Sequence, residues 1–191
     1  TYVKTSVNNG ESVRSNGTYV GGLAGYVTTY ITGEVGKTTF NGKVIGRDYV
    51  GGIAGYAGGY VQQVSVGKDA QIVAADLADE TSQTGLAAGL VAKIEGSYLN
   101  ESYCLGTVSG QRTGLLAGEA GKGCTVSNAY HYNSKQETAP LITLNDGESA
   151  NLYYLAAEET ASGGRTAAQF ASGEVAWPLD GGEATFSKTY F

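Results

Sequence analysis

The chain has 191 residues, 41% of them hydrophobic and 16% charged, and a net charge of −6. That apolar share excludes a disordered chain, and the acidic balance excludes a nucleic-acid backbone as partner and disfavours docking on an anionic membrane. The 30 Gly, 14 Tyr and 2 Pro describe many short strands joined by tight turns, and the absence of a three-residue Gly period excludes collagen.

Residues 19–27 read Tyr-Val-Gly-Gly-Leu-Ala-Gly-Tyr-Val, and residues 49–57 read Tyr-Val-Gly-Gly-Ile-Ala-Gly-Tyr-Ala. Weaker copies stand at 88–92 (Ala-Gly-Leu-Val-Ala) and 114–118 (Gly-Leu-Leu-Ala-Gly). With Ala24, Ala54, Val91 and Ala117 as equivalents, the spacings are 30, 37 and 26 residues. A period of this size predicts stacked units, each burying its apolar face only against its neighbours.

Each unit has the same inner order. A Gly-rich strand comes first. A second apolar patch follows, at Tyr30-Ile31, Tyr60-Val61, Tyr98-Leu99 and Val126. A turn-and-strand element closes the unit, as in Asn41-Gly42-Lys43-Val44-Ile45-Gly46 and Leu105-Gly106-Thr107-Val108-Ser109-Gly110. Gly and Asn mark the breaks, and no unit carries a long helical period. Three short strands per unit predict an all-β fold: a parallel β-solenoid, β-helix-like, of about four coils. A propeller is the competing repeat fold, but its blades take about 40 residues. Residues 67–83 lengthen the third unit and are read as a loop or one-turn helix projecting from the coil.

The repeat grammar stops at about residue 133. Residues 1–132 are therefore read as the solenoid and 133–191 as a small C-terminal α+β cap, which a solenoid needs to cover its last strands. Within the cap, Leu141-Ile142-Thr143-Leu144 follows Pro140, and Asn145-Asp146-Gly147 signals a turn. Asn151-Leu152-Tyr153-Tyr154-Leu155 reads as a strand, and residues 158–164 as a polar loop. Thr166-Ala-Ala-Gln169 has the form of a capping box, with Phe170 as the apolar anchor of a short helix. A second turn runs to Trp177 and ends before Pro178. Both Phe170 and Trp177 are expected to be buried.

Candidates for chemistry are few. No catalytic residue is assigned. Cys104 and Cys124 are the only cysteines, and separate thiols are preferred over a bridge. With His131 they are too few for a metal site, so no metal or other cofactor is expected. His131 is the sole histidine and reads as a satisfied strand residue. Lys37-Thr38-Thr39 after Gly33 and Gly36 only faintly echoes a phosphate loop. Asp48, Asp69, Asp76, Asp79, Glu80, Glu95, Glu101 and Glu119 fall at unrelated repeat positions and read as solvated turn charges. No run of 18 apolar residues is present, so no membrane-inserted helix is expected. No signal peptide is read, and the chain starts in mid-pattern.

The tyrosines recur instead. Tyr19 and Tyr49, Tyr26 and Tyr56, and Tyr30 and Tyr60 are equivalent across units. Tyr26, Tyr56, Tyr30 and Tyr60 are the candidate binding residues. Facing outward they make an aromatic strip for a sugar ring; facing along the sheet they make a cross-strand ladder, the preferred reading.

The segments at 19–26 and 49–56 resemble the GLUG repeat of large secreted or wall-attached bacterial proteins, including non-catalytic parts of some IgA-cleaving peptidases. Gly-Thr-Val-Ser-Gly at 106–110 and Val-Ser-Asn-Ala-Tyr at 126–130 are similar to the family's linking element, with Ala129 where a Cys is common. Residues 166–179 resemble a stretch that often follows such repeats. The resemblance implies an extracellular location, at the bacterial surface or secreted, and a non-enzymatic presenting or adhesive role. A host or microbial glycan or a surface protein is the implied partner. Two alternatives are a carbohydrate-binding module using the stacked tyrosines and a polysaccharide-active β-helix enzyme. The oligomeric state is left open.

Overall fold

Ala24, Ala54, Val91 and Ala117 stand in one ladder. In the computed structural model, which describes residues 2–3, 7–33, 38–136 and 139–176, they open the strands Ala24–Val27, Ala54–Ala57, Val91–Ile94 and Ala117–Ala120. Ile142–Asn145 adds a fifth strand to this sheet. The Gly-rich segments just upstream form a 4-stranded sheet from Tyr19–Gly21, Tyr49–Gly51, Leu86–Ala88 and Arg112–Gly114. The remaining strands form a 12-stranded sheet. Every strand pair among the described residues is parallel. Among the described residues the fold is all-β and parallel, with one short helix.

From Tyr19 to His131 the chain visits the sheets in a fixed order: small sheet, middle sheet, large sheet, and back. The second apolar patches share one ladder in the large sheet, where Ile31, Val61, Leu99 and Val126 are successive partners. The closing elements share another, through Val44, Ile72 and Val108. A single buried cluster draws side chains from all three sheets, among them Val20, Val50, Ala57, Val91, Ile94, Phe40 and Val66.

The glycine pairs explain how small and middle sheets meet. A Cβ on Gly22 would lie 2.3 Å from the Gly52 carbonyl oxygen and 2.5 Å from the Phe40 ring. A Cβ on Gly52 would lie 2.2 Å from the Gly89 oxygen. Only hydrogen fits there, because the corner of one repeat rests on the corner of the next while a core side chain packs beneath.

A second corner lies within the large sheet. Gln63, Glu101, Asn128 and Asn151 all adopt left-handed backbone, with φ of 56°, 49°, 50° and 53°. Each follows a residue of one ladder, Gln62, Asn100, Ser127 and Ala150. None is Gly, so side-chain bonds must offset the strain. Gln63 donates to Glu101 at 2.7 Å, Asn128 to Asn100 at 3.0 Å, and Asn151 to Asn128 at 2.9 Å. Asn100 donates to Glu101 at 3.0 Å and so joins these bonds into one polar chain along the corner.

Residues 67–83 correct the sequence reading. Gln71–Ala74 is a strand paired with both neighbouring repeats, and only the following residues leave the sheet. That excursion is a loop without helix, closed by an antiparallel bridge from Ala75 to Gln83. Asp76 and Asp79 accept from the backbone N–H groups of Ala78 and Thr81, which turns the chain. Glu80 then pairs with both Arg14 and Lys43, pinning the loop across the sheet.

Parallel pairing runs on past residue 132. Glu148–Leu155 lies on Thr125–His131, and Gly164–Arg165 on Glu148–Leu155. The helix Ala167–Ser172, α1, begins at Thr166 with a complete capping box and ends at Gly173, φ 86°. Phe170 is buried, packing on Tyr130 and Tyr132. Trp177 and Pro178 lie outside the described residues, as do Gly36 and Lys37.

Candidate functional site

The outward residues of the ladders carry the candidate site. Tyr26 and Tyr56 are partners on the middle sheet, with ring centroids 4.3 Å apart and planes 7° from parallel. Tyr30, Tyr60 and Tyr98 head the equivalent strands of the large sheet, and Tyr60 and Tyr98 stack at 4.4 Å and 12°. Tyr26 and Tyr60 are each 50% exposed and Tyr30 42%, whereas Tyr56 is half-buried. The rings stack on one another along the ladder while remaining partly exposed. The two rows lie on different sheets, separated by the turns at 28–29 and 58–59.

The stacking decides what the surface offers. A ring stacked on its partner spends one π-face on it. Within a row the outward rims are edges and hydroxyls rather than a continuous flat platform. Edges carry the positive end of the aromatic quadrupole, and hydroxyls donate and accept.

Tyr19 joins the first row to the small sheet. Its ring sits edge-on to Tyr26 at 5.9 Å and tilted against Tyr49 and Tyr56 at 5.3 and 5.2 Å. In the later repeats the same ladders change chemistry: Lys93 and Glu119 follow Tyr56, and Leu86 and Arg112 follow Tyr49. Tyr56 donates to Glu95 at 2.9 Å, and Tyr49 to Glu119 at 3.3 Å. Lys93 pairs with Glu95 at 2.8 Å and stands over the Tyr49 ring, while Arg112 pairs with Glu119 at 3.1 Å. Burial and then the Glu95 carboxylate hold the Tyr56 hydroxyl above its ordinary range. The Lys93 ammonium and then the Tyr56 hydroxyl hold Glu95 below its own. The result is an aromatic cluster that grades into paired charges.

A third row escaped the sequence reading. Tyr103, Tyr130 and Tyr153 are ladder partners, and Tyr103 and Tyr130 stack at 5.1 Å and 11°. Here Phe170 of α1 covers Tyr130, and the Arg165 guanidinium lies 4.9 Å from the Tyr153 ring centre. Their predecessors in the ladder are Thr39 and Ser65, so no repeated Tyr flagged it.

The other candidates take structural places. His131 continues the inward ladder of Phe40, Val66 and Cys104, 1% exposed, with Nε2 3.1 Å from the Gly106 oxygen. Burial lowers its pKa to about 4, so it is neutral at pH 7. Cys104 and Cys124 are separate buried thiols, and burial pushes Cys104 up to about 12. Glu101 sits in the left-handed corner, Asp48 in an exposed turn. Among the described residues no three His, Cys, Asp or Glu are grouped to hold a metal ion, and no helix is long and apolar enough to cross a membrane.

Comparison of the chain with family models, curated proteins and solved structures returns no match.

Proposed function

We propose that the three parallel sheets are the walls of a β-solenoid of about four coils, closed by a C-terminal cap. The chain is then a non-enzymatic segment of a secreted or surface-attached bacterial protein of the GLUG-repeat kind, with a presenting or adhesive role. The observation that carries the reading is the pair of outward tyrosine rows, half-exposed on a scaffold whose registers fix every ring. Tyr gives broad amphipathic contact at a small entropic cost, which suits an adhesive face.

The test is adhesion to immobilised host extracellular proteins and to a glycan array by the parent protein and by Tyr26→Ala/Tyr60→Ala, with circular dichroism as the folding control. The expected result is binding by the parent and its loss in the folded variant. Equal binding by both removes the tyrosine rows as the adhesive face. A second reading, a carbohydrate-binding module, draws support from the paired Lys93, Glu95, Arg112 and Glu119 beside Tyr49 and Tyr56, since sugars need both apolar and hydrogen-bonding neighbours. Array hits confined to glycans would favour it.

A further inference from the structure

A cavity of about 830 Å³ opens on the outer side of the large sheet, between α1, the turn at 67–70 and the segment 132–135. Its size lies in the range of small-ligand sites. Tyr132, half-buried, supplies aromatic wall, with the buried Phe170 packed edge-to-face behind it at 5.0 Å. Gln71 and Thr107, ladder partners, supply an amide and a hydroxyl. Lys68 and Lys135 complete it, against the single lining carboxylate of Asp69.

The chain as a whole is acidic, with net charge −6. Arg14, Lys43, Lys93, Arg112 and Arg165 are all ion-paired. Lys68 and Lys135 form no ion pair among the described residues, and neither do Arg47 and Lys122, but of these four only Lys68 and Lys135 line the cavity. Both stand on turns that are held in place. Asn41 Oδ1 accepts from the Asp69 N–H, and the Ala70 oxygen accepts from the Thr107 N–H. Asn133 donates to the Leu105 oxygen at 2.7 Å and accepts from the Lys135 N–H at 2.9 Å. Two unpaired ammonium groups are thus presented on a preorganised rim, which lowers the cost of binding.

We infer that this cavity binds a carboxylate-bearing sugar. The carboxylate meets Lys68 and Lys135, the ring hydroxyls meet Gln71 and Thr107, and an apolar C–H face lies on the aromatic wall. The site is separate from the exposed tyrosine rows and stands whether or not those rows adhere.

Two sources supply this chemistry: a uronic acid of a polysaccharide and a terminal nine-carbon acidic sugar. Calorimetric titration with galacturonic acid, N-acetylneuraminic acid and neutral galactose separates them. At least one acid is expected to bind about tenfold or more tighter than galactose, and to weaken as salt rises. Lys68→Gln/Lys135→Gln is expected to lose about tenfold in affinity with an unchanged melt, and Lys68→Arg/Lys135→Arg to keep most of it. Tyr26→Ala/Tyr60→Ala leaves this binding unchanged, which distinguishes the site from the adhesive face. Acids that bind no better than galactose, or a double Gln variant that binds as the parent does, would overturn the assignment.

Discussion

The rings of Tyr26 and Tyr56 lie face to face, 4.3 Å apart and 7° from parallel, on strands one repeat removed from each other. Each ring serves as the neighbour that an isolated strand would lack, so the row stabilises the pairing that creates it.

The pair is therefore expected to be energetically coupled. In a double-mutant cycle with Tyr26→Ala and Tyr56→Ala, urea denaturation should give a coupling of about 0.5–1.5 kcal/mol. Additive losses would mean that the rings merely sit side by side.

Gly22→Val should be among the most damaging single changes. The new side chain meets a backbone oxygen and the Phe40 ring at distances no Cβ tolerates. A loss of about 3 kcal/mol is expected, at the upper end of overpacking. Gly17→Ala, in an exposed turn where a Cβ would meet the Ser15 hydroxyl at 3.3 Å and the Tyr19 oxygen at 3.9 Å, is the control and should leave the melting temperature almost unmoved. Equal melts for the two variants would remove the packing account of the glycine pairs.

Acid should destabilise the protein through His131. Its pKa falls from 6.5 in the unfolded chain to about 4 in the fold. Between these values the unfolded chain binds the proton and the folded one does not. Stability is therefore complete above pH 6.5, declines as pH falls through this window, and has lost about 3 kcal/mol at its lower end. Glu80 and Glu95 are held below their ordinary 4.5, and Asp79 below 3.8, so their losses come at lower pH. His131→Leu should flatten the stability profile between pH 6.5 and 4.5 in denaturant titrations. An unchanged slope would refute the assignment.

Gln136 should matter more than a half-buried polar residue usually does. Its side chain accepts from the Val108 N–H and donates to the Val108 oxygen, taking the place of the next strand beside Thr107–Ser109. Gln136→Ala leaves both backbone groups of a buried residue unpaired, at a cost of about 1–3 kcal/mol, and reopens a sheet edge. The cost is read from the melt and the edge from light scattering. A variant as stable and as monodisperse as the parent would show that water satisfies Val108 equally well.

The ladder through Ala24, Ala54, Val91 and Ala117 was legible in the sequence, because a corner that admits only hydrogen forces the same Gly and Ala residues to recur. The tyrosine pairs were legible for the same reason, as ladder positions with a repeated residue. Gln71–Ala74 was not, since its four residues stand between polar stretches that read as one insertion. The strands Ile142–Asn145 and Glu148–Leu155 continue the pairing without a Gly-Gly corner to announce them. Of the left-handed row, Asn128 and Asn151 are residue types that favour such backbone, while Gln63 and Glu101 are not. The cavity joins four segments far apart in sequence and carries no motif, so only the fold could assemble it.

In-register ladders join like position to like position, so repeat number is a variable that can change in whole steps. Excising residues 54–90 in frame would set Val91 where Ala54 stood, facing Ala24, with the neighbouring pairings carried along. Unequal crossing-over between similar repeats is the genetic event that makes such a change. Each repeat lost or gained removes or adds one strand to each ladder it joins, a step of about 4.8 Å along the pairing direction. The extent of the ladders can thus change by copy number, through recombination, as well as by point substitution.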